Sequence, residues 1–137
     1  MIRRPEMRTA TVSSPVVTLF SEDDPRFLID GSTIPGAGNG LFTKEPLAEG
    51  DRLEVLGVLV PADSPSDTCT SYANRHKFRV RELLLIPLGY GGLVNYSDSP
   101  NMKKVIEGHR VYLQALRPID RGEELFFKYD NGPPVAT

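Results

Sequence analysis

The sequence is poor in the residues that build metal and redox chemistry. It holds one cysteine, Cys69, and two histidines, His76 and His109. A lone cysteine makes no internal disulfide and no cysteine-based zinc cage. The histidines lack a helical or hairpin spacing that would pair them on a metal, so no metal site is expected. No G-x-S-x-G elbow anchors a hydrolase triad. Neither sign of charge dominates: 16 Lys and Arg against 18 Asp and Glu leave a net charge of -2. That excludes a generally basic nucleic-acid binder, and no direct contact with nucleic acid is expected. No apolar run approaches the roughly 18 residues needed to cross a bilayer. Three arginines by position 8 are not followed by the apolar core of a signal peptide. The expectation is a soluble, cytoplasmic protein without a membrane partner.

What the chain does have is turn formers. Hydrophobic residues make up 39% and charged residues 25%, ordinary values for one folded domain of 137 residues. Glycine and proline number 12 each and are spread throughout. No internal repeat is visible, and nowhere do apolar residues keep helical spacing over three turns. Short strands joined by tight turns are expected, a mostly β fold. The β-branched or alternating runs 16–20, 27–30, 52–60 and 76–80 read as strands, with 52–60 the best of them. Residues 61–70 read as a polar loop, 83–86 as a short buried run and 89–101 as a long ordered loop. Runs 102–106 and 110–116 flank Glu107-Gly108-His109 as a hairpin, and 125–129 reads as a last strand. The division is an N-terminal arm over 1–25, a domain over 26–130 and a tail over 131–137.

Gly36-Ala37-Gly38-Asn39-Gly40 invites a phosphate-loop reading. Such a loop needs a helix after its glycines, so that helix N-terminal amides meet the phosphates. Here Leu41-Phe42-Thr43-Lys44-Glu45-Pro46 follows, with a proline where the helix should start and no P-loop lysine and hydroxyl. On its own the segment is a turn with several positive-φ positions. His109 reads as a solvated turn residue, and Lys103-Lys104 as a solvated strand face.

Three segments taken in order carry more. They are Ile34-Pro35-Gly36-Ala37-Gly38-Asn39-Gly40-Leu41-Phe42, then Asn95-Tyr96-Ser97-Asp98-Ser99-Pro100-Asn101, then Gly122-Glu123-Glu124-Leu125-Phe126-Phe127-Lys128-Tyr129. Together they resemble the SET-domain lysine methyltransferases, which read G-x-G-L-F, N-H-S-x-x-P-N and G-E-E-L-x-x-x-Y at these places. The resemblance covers residues 27–130 and is nearest to the compact bacterial and viral members. It implies a SET-domain fold, with small β-sheets around a knot-like crossing and few short helices. It further implies a protein-lysine N-methyltransferase that uses S-adenosylmethionine and takes a protein or peptide lysine as substrate. A bacterial or viral origin keeps it cytoplasmic, and a eukaryotic host would allow the nucleus.

By that resemblance, Ala37, Gly38, Asn39 and Gly40 lay main-chain groups along the methionine part of the cofactor, where glycine permits close approach. Leu93 belongs to the same binding set. Asn95 holds the cofactor's amino end, and the main chain of Asn95 and Tyr96 pairs with adenine. Tyr129 is the catalytic tyrosine. Phe127 occupies the family's Phe/Tyr switch, where a missing hydroxyl leaves room for di- or trimethylation. His76 falls where a channel tyrosine often stands, with Phe78 two residues on; a surface strand histidine is an equal reading. Pro100-Asn101 fixes the loop under the crossing, although loop capping by the Asn101 side chain is the plainer expectation.

The chemistry suits such a site. A free lysine has a pKa of about 10.4, so only about one in 10³ is a nucleophilic amine at neutral pH. A nearby sulfonium lowers that pKa by like-charge repulsion, and the site then has to align amine, methyl and sulfur. The chain departs from the family at Tyr96, where histidine is usual, at Lys128, usually acidic, and at Asp130, usually glycine. No cysteine-rich segment or aromatic helix follows Tyr129 to close the channel: either a second subunit of a homodimer closes it, or the enzyme is weak, or it does not methylate protein. Asp63, Asp67, Asp98 and Glu124 are candidates for an acidic substrate groove. The competing readings are a non-catalytic SET-like binding module and a structural β-clip that acts by oligomerising.

Overall fold

The computed structural model describes residues 22–129. Residues 1–21, with the strand expected at 16–20, lie outside them, as do Asp130 and the tail 131–137. Strands dominate, in four small sheets, and no helix among the described residues is long and apolar enough to cross a membrane.

β1 (Phe27–Gly31) and β2 (Asn39–Thr43) form an antiparallel pair, with Phe27 opposite Thr43. The turn between them is possible because Gly36 and Gly38 take φ values of 79° and 78°, a region that costs a side chain-bearing residue strain. β3 (Arg52–Glu54), β8 (Met102–Glu107) and β9 (Arg110–Ala115) make a sheet in the order β3-β9-β8. β4 (Gly57–Pro61), β5 (Phe78–Val80) and β6 (Leu83–Pro87) make another in the order β4-β6-β5. The last pair, β7 (Asn95–Tyr96) with β10 (Phe126–Phe127), is parallel.

Three expectations change. The run 52–60 is two strands in two different sheets. The chain leaves β3 with Val55 N–H donating to Val111 O, and Leu56 O accepts from Leu88 N before β4 begins. Gly57 sits at that corner because a Cβ there would collide with the Ile86 carbonyl. Within the loop 61–70, Pro65–Thr68 is a short helix, α1, with Ser64 as N-cap and Pro65 in the first turn, a combination that favours a helix start. Of 125–129, only Phe126 and Phe127 pair as a strand. The loop 89–101 likewise holds a 3-10 turn at Tyr90–Leu93 and then β7.

The core draws on every sheet. Leu41, Leu53, Phe78, Val80, Met102, Leu113, Ile119 and Leu125 are each under 2% exposed. Burying such a side chain stabilises by about 1.5–3 kcal/mol, so the sheets are held mainly by a shared interior. Asn101 does more than cap its own loop. Its Nδ2 donates to Glu124 O at 2.9 Å, and Phe126 N–H donates to its Oδ1 at 2.8 Å. Its backbone N–H donates to Phe126 O, while Leu116 N–H donates to its carbonyl. One buried side chain thereby fastens the middle segment to the C-terminal strand.

Candidate functional site

Two structures meet at this crossing. The first is a polar knot centred on Glu124, which is only 5% exposed. Its carboxylate accepts from Ser32 Oγ at 2.8 Å, Thr33 N–H at 2.8 Å, Thr33 Oγ1 at 2.6 Å and Asn95 Nδ2 at 3.0 Å. Burial alone would raise its pKa, but the bonds from Thr33, Asn95 and Ser32 outweigh that and hold it below the usual carboxylate value. Asn95 Nδ2 also donates to Asn39 O at 3.0 Å. The glycine turn and the middle segment are therefore tied through one acid. Gly40 has to be glycine here, since a Cβ would collide with the Glu124 carboxylate.

The second structure is an aromatic cluster. Tyr129 is buried, and its hydroxyl donates to Val94 O at 3.2 Å. Around its ring stand Phe127 with centroids 5.0 Å apart, Tyr96 at 5.4 Å and His76 at 5.6 Å, the last two edge-on. Phe78 stacks on Phe127 at 5.2 Å and 11°. Such edge and stacked contacts are favourable aromatic geometries. Burial pushes the Tyr129 phenol up to about 12, against a smaller main-chain hydrogen-bond effect at Tyr96. At neutral pH Tyr129 is thus a neutral phenol that can orient but not deprotonate a partner. Burial pushes the His76 imidazole below its ordinary value. The Tyr96 hydroxyl donates to Asp98, and that bond is the main reason its pKa rises.

The expected residues fall into these two groups, with one apart. His76, Phe78, Tyr96, Phe127 and Tyr129 come together, as do Asn39, Gly40 and Asn95. Ala37, Gly38 and Asn39 form the exposed tip of the glycine turn. Leu93 instead lines a cleft of about 570 Å³ with Ile29, Pro87, Leu88 and Tyr90, in which Glu22 accepts from Tyr90 N–H at 2.6 Å. Of the acids considered for a groove, Glu124 is committed to the polar knot, and Asp67 pairs with Lys77 at 2.7 Å.

Lys77 was not distinguishable in the sequence from a surface lysine. Its ammonium is 1% exposed and donates to Asp67 O, Asp67 Oδ1 and Asn74 Oδ1. A buried charge is tolerated when paired and hydrogen-bonded in this way. Lys77 anchors α1 and the following 3-10 turn at Ser71–Ala73 directly beside His76 and Phe78. No group of His, Cys, Asp and Glu that could hold a metal occurs among the described residues.

The residues brought together have the chemistry that a sulfonium donor bearing an amino acid calls for. Aromatic faces favour a cation. The glycine turn exposes main-chain groups at 37–39. Asn95 spends both donors on Asn39 and Glu124, and among the described residues its Oδ1 accepts from none, so it can receive an ammonium.

Comparison with known proteins agrees with this fold. The SET-domain family profile matches residues 38–130. No curated protein sequence matches the chain. Among solved structures, Polycomb repressive complex 2 of Chaetomium thermophilum is similar at 25% identity and a TM-score of 0.65, over 78% of this chain and 16% of the other. A form of that complex in an autoinhibited conformation bound to S-adenosylmethionine gives 22% identity and 0.68, over 82% and 16%. A candidate histone methyltransferase of Plasmodium falciparum gives 23% and 0.59, over 76% of this chain and 92% of its own. This chain thus spans about one sixth of the Polycomb chains it resembles.

Proposed function

This chain belongs to the SET-domain family, and on that footing we propose that it is a protein-lysine N-methyltransferase using S-adenosylmethionine. The observation that carries the reading is the convergence of His76, Tyr96 and Phe127 on the buried ring of Tyr129, with Phe78 stacked behind Phe127, next to the Glu124–Asn95 knot. When bound, the cofactor supplies a methyl group activated by its positive sulfur. Ala37, Gly38, Asn39 and Gly40 would offer main-chain groups to its amino-acid portion, Asn95 Oδ1 would accept from its ammonium, and the main chain of Asn95 and Tyr96 would hold adenine.

Tyr129 holds its proton at neutral pH and commits it to Val94 O. Its oxygen lone pairs remain to accept C–H contacts and to stabilise polarity that develops at the transferred carbon. Phe127 and Phe78 carry no hydroxyls, so neither would add a polar contact that restricts an amine already carrying methyls. The partner is a lysine of a protein or peptide, aligned beside the same rings.

Calorimetry with S-adenosylmethionine tests the first step: binding at micromolar concentrations is expected, and no heat at high micromolar ligand would count heavily against the reading. Tyr129→Phe should then lower the rate of methyl transfer by about 10²-fold, in the range seen for loss of one preorganised polar contact, with cofactor affinity nearly unchanged. Equal turnover would remove the phenol from the mechanism. A SET-like module that binds cofactor without transferring methyl is the second reading. It is favoured by Tyr96, whose hydroxyl is tied to Asp98 where the family has histidine. Heat of binding without label transfer to any lysine peptide would select it.

A further inference from the structure

Resting on the methyltransferase reading, we propose that His76 is a positioning residue whose neutral imidazole accepts an N–H of the incoming lysine amine and turns its lone pair toward the donor. His76 packs edge-on to Tyr129 from one side and reaches solvent on the other. It is the one side chain of the aromatic group that offers an unprotonated ring nitrogen; Phe78 and Phe127 offer none, and the Tyr96 and Tyr129 hydroxyls are committed to Asp98 and Val94 O. Among the described residues, neither imidazole nitrogen has a hydrogen-bond partner within the protein. Its main-chain N–H is held by Ala73 O at 2.8 Å, and the Lys77 anchor fixes the neighbouring backbone.

The electrostatics make the role depend on protonation. The groups facing the imidazole are neutral phenols: Tyr129 directly, and Tyr96 with its Asp98 partner across the same ring. Arg75 and Lys77 flank it on its own segment, and the Lys77 ammonium is turned to Asp67 and Asn74. Burial holds the imidazole neutral at pH 7. An imidazolium would lose its acceptor and add a positive charge beside a cationic substrate and a cationic donor, which disfavours binding of both. Methyl transfer should therefore need two deprotonations on the acid side, one at the lysine and one at His76.

The experiment uses the whole chain, labelled S-adenosylmethionine and a pool of peptides with one central lysine and random flanks. Wild type should show log kcat/KM rising with slope 1 at high pH and slope 2 in acid, below the lowered pKa of His76. His76→Phe should lose the second slope and fall about tenfold in kcat at pH 8.5. His76→Gln, a neutral acceptor that does not titrate, should lose the second slope while keeping most of that kcat. A readout without turnover comes from the imidazole C–H proton resonance of His76 in the cofactor-free protein, easily assigned because His109 is the only other histidine. It should titrate below the ordinary value and shift with the lysine pool but not with a central-norleucine pool. Slope 1 throughout in wild type, or equal shifts with both pools, overturns the inference. Absence of any wild-type transfer at pH 8.5 instead overturns the methyltransferase reading, and His76 with it.

Discussion

Six residue pairs join β8 to β9, and two join β7 to β10. The first contact is a continuous main-chain ladder from Met102 opposite Ala115 to Glu107 opposite Arg110. The second has too little ladder to stand, and side chains replace it: Asn101 on Glu124 O and Phe126 N–H, Glu124 on Ser32, Thr33 and Asn95, and Tyr129 on Val94 O. A regular ladder tolerates many side chains. A contact made by side chains tolerates few, and that is where the chemistry-bearing residues stand.

The difference should be largest at Asn101. Asn101→Ala leaves a buried carbonyl at Glu124 and a buried N–H at Phe126 without partners, and should cost about 2–4 kcal/mol in urea unfolding. Amide exchange should rise at β7 and β10 well before β8 and β9. Uniform loss over both regions would mean that the side chain is not the local fastener described.

Acid should act on the same region. The folded Glu124 pKa lies below its ordinary value, so its contribution is present above the unfolded value of about 4.3 and lost as pH falls through the folded one. Urea stability should decline on acidification below about pH 4.5, and Glu124→Gln should flatten that decline. Glu22 works in the opposite sense: burial raises its pKa, so what it contributes is greatest in acid and fades as pH rises through the folded value. The smallest effect belongs to the ladder. Gly108→Ala, at φ 63° in the β8–β9 turn, should cost about 1 kcal/mol by thermal melting with no change in the exchange of β7.

The two regions were also unequally legible. The β8–β9 hairpin follows from alternating runs around Glu107-Gly108-His109, because local pattern and local turn agree. The strand 52–60 misled, since two strands in series look like one when nothing but Gly57 marks the corner; a glycine inside a strand pattern is a sign of such a bend. Ser64-Pro65 announced α1 in the same way. At the site, the motifs single out Tyr129, Phe127 and Asn95 as candidates, but their spacing says nothing of which acid is buried. Glu124 and Lys77 look like solvated charges in sequence; the long-range fold gives Glu124 its partners Ser32 and Thr33, whereas Lys77 takes its three from the nearby Asp67 and Asn74 once that segment folds back on it.

The parallel pairing of β7 with β10 has a kinetic consequence. Asn95 meets Phe126 across 30 intervening positions, and closing such a loop repays its entropy with only two ladder pairs until Asn101, Glu124 and Tyr129 have all engaged. The threading should therefore consolidate late and as one event. Because the polar knot and the aromatic cluster both depend on it, neither should form ahead of the other: on the proposed reading, capacity to bind donor and acceptor would switch on together, in step with the final stage of folding.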